Sequence, residues 1–303
     1  MNLLRHGAGL LLATLCLVNS ASVVVLADEP ISYDEIRQNA ISPEDQPIEL
    51  FNGENLDGLY TWLKDTGHED PRNVFRVTDG MLHITGDGLG AVLTEENYKD
   101  YHAIIEFKWG PRTWENRVDR TRDSGLLFHC VGPDNSYNNI WPNSIEAQII
   151  EGGVGDVIVV RGKDPDGNPM PISVTAEVTE DRDGESVWHK GGERKVFQGG
   201  RINWYGRDPD WKDEIGFRGD QDVDSPVGEW TRMDVICEGD HVLIKVNGVT
   251  VNELFDVSPS AGRLLVQTEL AELFVRRWEL WPLGKAPEFD AATFDASGSK
   301  SKQ

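Results

Sequence analysis

From Ile48 onward the chain runs in short apolar stretches broken by Gly, Asn and Asp about every eight to twelve residues, the rhythm of strands joined by tight turns. No stretch keeps a helical period. Two dipeptides mark hairpins: Asp79-Gly80 between Val74–Val77 and Met81–Thr85, and Asn247-Gly248 between His241–Val246 and Val249–Leu254. Tyr101–Trp109 alternates, with His102, Ile104, Glu106 and Lys108 opposing Tyr101, Ala103, Ile105, Phe107 and Trp109. The pattern predicts an all-β domain over residues 48–284, built of two packed antiparallel sheets. Residues 28–47 read as a tether or an edge-covering arm, and 285–303 as an unstructured tail. The span 161–228 reads as a long acidic loop region holding Trp188-His189-Lys190 and Trp204-Tyr205. A loop of that length in a compact domain is usually functional or disordered, and its tryptophans argue against disorder.

Within this frame Asn143–Gly153 stands out. Read as a strand, it sends Ile145, Ala147 and Ile149 to one face and Ser144, Glu146 and Gln148 to the other, with Glu151 at its end. A carboxylate and a carboxamide on one strand face suit a sugar groove, and they equally suit the solvated outer face of an antiparallel sheet. In Ser124–Val131 the same alternation groups Gly125, Leu127 and His129 against Leu126, Phe128 and Cys130. In Gly262–Leu270, Leu265, Gln267 and Glu269 share a face. Cys130 and Cys237 share parity with apolar neighbours and are expected in the core, as a disulfide or as two buried thiols.

The chain carries 29 basic against 52 acidic residues, a formal net charge of −23. Such a surface repels nucleic acid and anionic membranes and suits a neutral ligand, a cation or a bound metal. The start has the form of a secretory signal peptide over residues 1–27: Arg5 and His6, apolar Leu10–Val18 and Val23–Leu26, then Ala27 before Asp28-Glu29-Pro30. The expectation is an exported protein, periplasmic or extracellular, with no membrane span after removal of the leader. Asp164-Pro165-Asp166-Gly167-Asn168 reads as a turn rather than half a calcium loop, and Asp220, Asp222 and Asp224 as a solvated edge. A divalent cation is the one cofactor left open.

Several segments taken in order resemble one family. They are Phe51-Asn52-Gly53-Glu54-Asn55-Leu56-Asp57-Gly58, Phe75-Arg76-Val77-Thr78-Asp79-Gly80-Met81-Leu82, Leu93-Thr94-Glu95, and Ser124-Gly125-Leu126-Leu127-Phe128. Ile145-Glu146-Ala147-Gln148-Ile149, Gly228-Glu229-Trp230, Val246-Asn247-Gly248 and Leu265-Val266-Gln267-Thr268-Glu269 complete the set. Together they resemble the 3-keto-disaccharide hydrolase domain family. The resemblance implies a concanavalin-A-like jelly roll and action on sugars carrying a ketone at C3. That ketone acidifies the C2 proton, so a base can form an enolate, whose collapse expels the C1 substituent before water adds back. By this resemblance Glu146 and Glu269 are the base and the acid, in either order, and His129 a relay, an enolate donor or a metal ligand. Gln148 and Gln267 would hold sugar hydroxyls, while Trp141, Trp188 and Trp204, with His189, would line the sugar. Laminarinase-type relatives place three acids on alternate residues of one strand; here Gln148 replaces the middle one and Glu151 is out of phase. That departure argues against a retaining glycosidase, whose two carboxylates sit about 5 Å apart. The other reading is a non-catalytic, lectin-like carbohydrate-binding module.

Overall fold

A computed structural model describes residues 32–298; the expected signal peptide lies outside the described residues. Two antiparallel sheets form a jelly-roll sandwich. The seven-stranded front sheet runs in the order Gly200–Ile202, Val157–Val160, Asn143–Ile150, Asp123–Val131, Arg263–Glu269, Leu89–Thr94 and Leu59–Leu63. The eleven-stranded back sheet is centred on Tyr101–Thr113, flanked by Ala271–Trp281 and Thr231–Glu238. Both expected hairpins form, and Asp79, Gly80, Asn247 and Gly248 all take the positive φ that such turns require. The inner faces meet in a core that includes Phe107, Phe128, Ile145, Ala147, Val266 and Trp278. Removing a side chain such as Phe128 from this interior would cost about 3–5 kcal/mol.

The structure departs from the sequence reading in four places. Tyr33–Asn39 forms a short helix, capped by the Ser32 hydroxyl, which accepts from the Glu35 amide at 3.3 Å. Two turns are too few to show a period in sequence. The helix is docked: Arg37 bonds Asp100 and the Ser260 carbonyl, which makes the arm an edge cover rather than a tether. The span 161–228 contains four strands. Ser173–Glu180, Ser186–Trp188 and Glu193–Phe197 extend the back sheet, and Gly200–Ile202 extends the front one. Ser186–Trp188, Glu193–Phe197 and Gly200–Ile202 are strands of three to five residues at the sheet margins, too short and too exposed to show the alternation. The expected tail folds back as far as it is described. Trp230 donates its amide to the Ala296 carbonyl at 2.6 Å, Arg232 bonds the Pro287 carbonyl, and Phe289 packs on Phe294. Among the described residues no helix is long and apolar enough to cross a membrane.

The fourth departure decides the site. Between Phe128 and Val131 the ladder with Asn143–Ile150 slips, and His129 adopts φ +50°, so a bulge reverses the facing of the strand beyond it. Leu126 and Phe128 lie in the inter-sheet core, whereas Cys130 joins Leu127, Leu93 and Leu265 on the outer face of the front sheet. The expectation that Cys130 points into the core is corrected accordingly. Cys237 does lie in the core, and both cysteines are free thiols that burial pushes up to about 12. Alkylation of the unfolded, unreduced protein is expected to label both, as read by peptide mapping. A linked Cys130–Cys237 peptide would contradict the structure.

Candidate active site

The outer face of the front sheet gathers the chemistry. Glu146 stands opposite Leu127 and Gln148 opposite Gly125 on the neighbouring strand. On the other side Leu265 stands opposite Leu127; carrying the register on sets Gln267 beside Gly125 and Glu269 beside Asp123. Asp123, Glu146, Gln148, Gln267 and Glu269 therefore share one face across three strands. Gly125 makes the arrangement possible. A Cβ there would lie 2.3 Å from the Glu146 Oε1 and 2.6 Å from the Gln267 Oε1. Both side chains lean into space that only glycine leaves open.

Glu146 is 4% exposed and has no hydrogen-bond partner among the described residues. Burial first, then the charge of Asp123, pushes its carboxyl up to about 8, against a smaller opposite pull from Arg201. Arg201 sits in the same cross-strand row, two strands away through Ile158. Glu269 is held well above its ordinary range by burial and by Asp123, with Arg117 opposing at 3.4 Å. Asp123 is likewise raised by burial, while Arg117 and Arg201 pull it back. Arg117 bonds the Asp123 Oδ2, leaving Oδ1 without a partner. The Gln267 Oε1 is also buried and unpartnered, whereas the Gln148 Oε1 accepts from the Ile149 amide at 2.8 Å.

Other expected site residues do not join this group. His129, thrown inward by the bulge, lies in the core with its ring 6.1 Å from that of Tyr101 and its Nδ1 3.0 Å from the Pro259 carbonyl. Burial lowers it to about 3, so it stays neutral, on the opposite side of the sheet from Glu146. Trp188 and Trp204 belong to the inter-sheet core, although polar residues flank them in sequence. His189 is exposed at the turn after Ser186–Trp188, on the back sheet. Trp141 does share the face of Glu146, packed on Ala91, Leu93, Leu127 and Leu265. Glu151 pairs with Arg122 at 2.6 Å and holds the Gly216 amide, a structural role.

The sequence reading missed Asp123, Arg117 and, among aromatics, Tyr60 and Trp62. Tyr60 and Trp62 are half-buried and continue the two site rows through Leu93 and Ala91. Asp123 shares parity with Gly125, and starting the strand one residue earlier would have revealed it. Among the described residues no three His, Cys, Asp or Glu side chains are arranged to hold a metal ion. Asp164 closes a turn on Asn168 as expected, but Asp224 is buried against Arg218 rather than lying on a solvated edge.

The burial of Glu146 has a consequence for stability. Its carboxyl holds a proton up to about pH 8 when folded but only to its ordinary value of 4.5 when unfolded. Between those values the folded state binds more protons, so this group's contribution to stability falls as pH rises. Glu146→Gln never ionises and escapes that loss. Its melting temperature relative to wild type is expected to rise steadily from about pH 4.5 to about pH 8. A difference that stays flat across the window would contradict the assignment.

Residues 46–280 match the 3-keto-alpha-glucoside-1,2-lyase-like domain. A search of curated proteins found no match. Among solved structures, a proposed glycosyl hydrolase from Parabacteroides distasonis is 15% identical, with 84% of this chain and 98% of that one covered and a TM-score of 0.45. A carbohydrate-binding module from Bacillus subtilis is 11% identical over 79% and 97% of the two chains, with a TM-score of 0.39. At such identity and superposition neither carries an argument about activity. With residues 46–280 matched, most of its length, the chain belongs to the 3-keto-alpha-glucoside-1,2-lyase-like domain family.

Proposed function

We propose that the protein is a carbohydrate-active enzyme that cleaves 3-keto-glycosides by elimination across C1–C2 followed by hydration. The observation that carries this reading is a buried carboxyl, Glu146, with no hydrogen-bond partner among the described residues, poised over the gap at Gly125. An acid that stays protonated at neutral pH suits a leaving group that must depart as an alcohol. Glu146 accordingly donates to the glycosidic oxygen. Glu269, whose carboxyl burial and the charge of Asp123 push upward, donates a hydrogen bond to the oxygen that becomes the enolate, the use to which a neutral carboxylic acid is well suited. Gln148 and Gln267 hold sugar hydroxyls, with Trp141 and Trp62 beside them. The apolar leader supports action outside the cytoplasm.

Glu146→Gln keeps the side chain's volume but cannot donate its proton. It is expected to fold and to lose about 10²–10⁴-fold in turnover of a 3-keto-disaccharide. The loss should be smaller on a nitrophenyl 3-keto-glucoside, whose leaving group needs little help. Undiminished turnover of the disaccharide would remove Glu146 from the mechanism. Cleavage in deuterium oxide is expected to place deuterium at C2 of the released sugar, above the background of the free keto-sugar. The matching glycoside with a hydroxyl at C3 should not turn over. Cleavage with C2 hydrogen retained would indicate an ordinary glycosidase. Sugar binding without turnover of either substrate would favour the non-catalytic module.

A further inference from the structure

The elimination needs a base at C2, and the two glutamates are both disposed as donors. The other groups nearby are spoken for. His129 lies behind the sheet, in the core. Burial pushes the Cys130 thiol up to about 12, so it stays protonated near neutral pH. Asp156 is fully buried, with Oδ2 bonded to Arg201 and Arg207 and Oδ1 accepting from the Trp204 amide. Asp134, in the loop after Asp123–Val131, is tied to Arg263 and to the hydroxyl of Tyr60, which stands four strands from Glu146 along its row. Asp213 binds the Thr121 amide and hydroxyl through Oδ1.

Asp123 differs from all of these. It precedes Gly125 by two positions on the same strand face, about 7 Å away, so it borders the gap into which Glu146 and Gln267 lean. Its side chain is almost wholly buried, yet only one of its oxygens is engaged. Arg117 holds Oδ2, and Oδ1 has no partner among the described residues. Arg117 also reaches Glu269 at 3.4 Å, which ties the two carboxyls into one assembly. A carboxylate fixed at one oxygen by a guanidinium and open at the other is positioned to accept a proton.

We infer that Asp123 is the base that removes the C2 proton, a role that rests on the elimination proposed above. The Asp123 Oδ1 takes the proton, and the C2–H electron pair becomes the enolate over C2, C3 and the ketone oxygen. The enolate re-forms the ketone and makes the C1–C2 double bond as the C1–O bond breaks; the leaving oxygen keeps that electron pair and takes the proton of Glu146. Once the alcohol has left, the proton on Asp123 exchanges with solvent; water then adds at C1 and gives a proton to the Glu146 carboxylate, and Asp123 protonates C2. Both side chains end as they began, and the net change is hydrolysis. Arg117 is a positioning residue: it holds the Asp123 carboxylate and opposes its protonation.

A 3-keto sugar analogue with hydrogen in place of the C1 substituent isolates the first step, because it can enolise but has no C1 substituent to expel. In deuterium oxide the wild-type protein is expected to exchange C2 of this analogue in preference to C4, followed by NMR. Asp123→Asn should lower that exchange by about 10²–10⁴-fold, and cleavage of the 3-keto-glycoside with it. Should Asp123→Asn fail to fold, Asp123→Glu keeps the charge and the arginine contact and must still exchange C2 above buffer. If either folded Asp123→Asn exchanges at the wild-type rate or Asp123→Glu exchanges none, Asp123 is not the base. If the wild-type protein cleaves without exchanging C2, the elimination itself is wrong and this role falls with it.

Discussion

Three carboxyl groups crowd one face of the front sheet, and two guanidiniums cannot neutralise them all in a place that water barely reaches. Burial drives Glu146, Glu269 and Asp123 upward together, and the charge of Asp123 raises both glutamates further. Arg117 and Arg201 set where the charge settles. Arg117 bonds Asp123 directly and stands at 3.4 Å from Glu269, whereas Arg201 gives its own hydrogen bond to Asp156 at 2.8 Å and acts on Glu146 through space. The result is a division of labour between groups of one chemical kind. In the proposed mechanism, like carboxyls become one base and two donors because their neighbours differ.

The sandwich supplies the rigidity that such crowding needs. Inward residues of the same strands, Leu126, Phe128, Ile145, Ala147 and Val266, are fully buried between the sheets. Site side chains therefore sit on strands whose opposite faces cannot shift. Gly125 is the local condition. Any larger residue would collide with Glu146 and Gln267 unless both moved. The bulge at His129 then ends the reactive row and turns Cys130 onto the apolar part of the same face, beside Trp141 and Leu265.

Much of this was legible in the sequence where a period of two holds. It set Glu146 with Gln148 and Gln267 with Glu269, and the hairpins at Asp79-Gly80 and Asn247-Gly248 marked neighbouring strands of the back sheet. It failed where that period breaks or begins. His129 follows the alternation of Gly125 and Leu127 on paper, but the bulge inverts it, and a positive φ at histidine leaves no trace in composition. Asp123 was passed over because it adjoins a charged loop, where a strand's first residue looks like the loop's last. Trp188 and Trp204 have polar neighbours in sequence because the strands around them are short and at the edges. Their own side chains fill the core. The direction of each titration depends on burial and on arginines from distant segments, which no local pattern displays.

The central claim is that the sandwich keeps the Glu146 carboxyl neutral at physiological pH. Infrared difference spectroscopy reads this directly, since a protonated carboxyl has a carbonyl stretch that a carboxylate lacks. The wild-type minus Glu146→Gln spectrum, followed against pH, is expected to show that band at neutrality and to lose it near pH 8. Loss of the band near 4.5, the ordinary value for this side chain, would contradict the account.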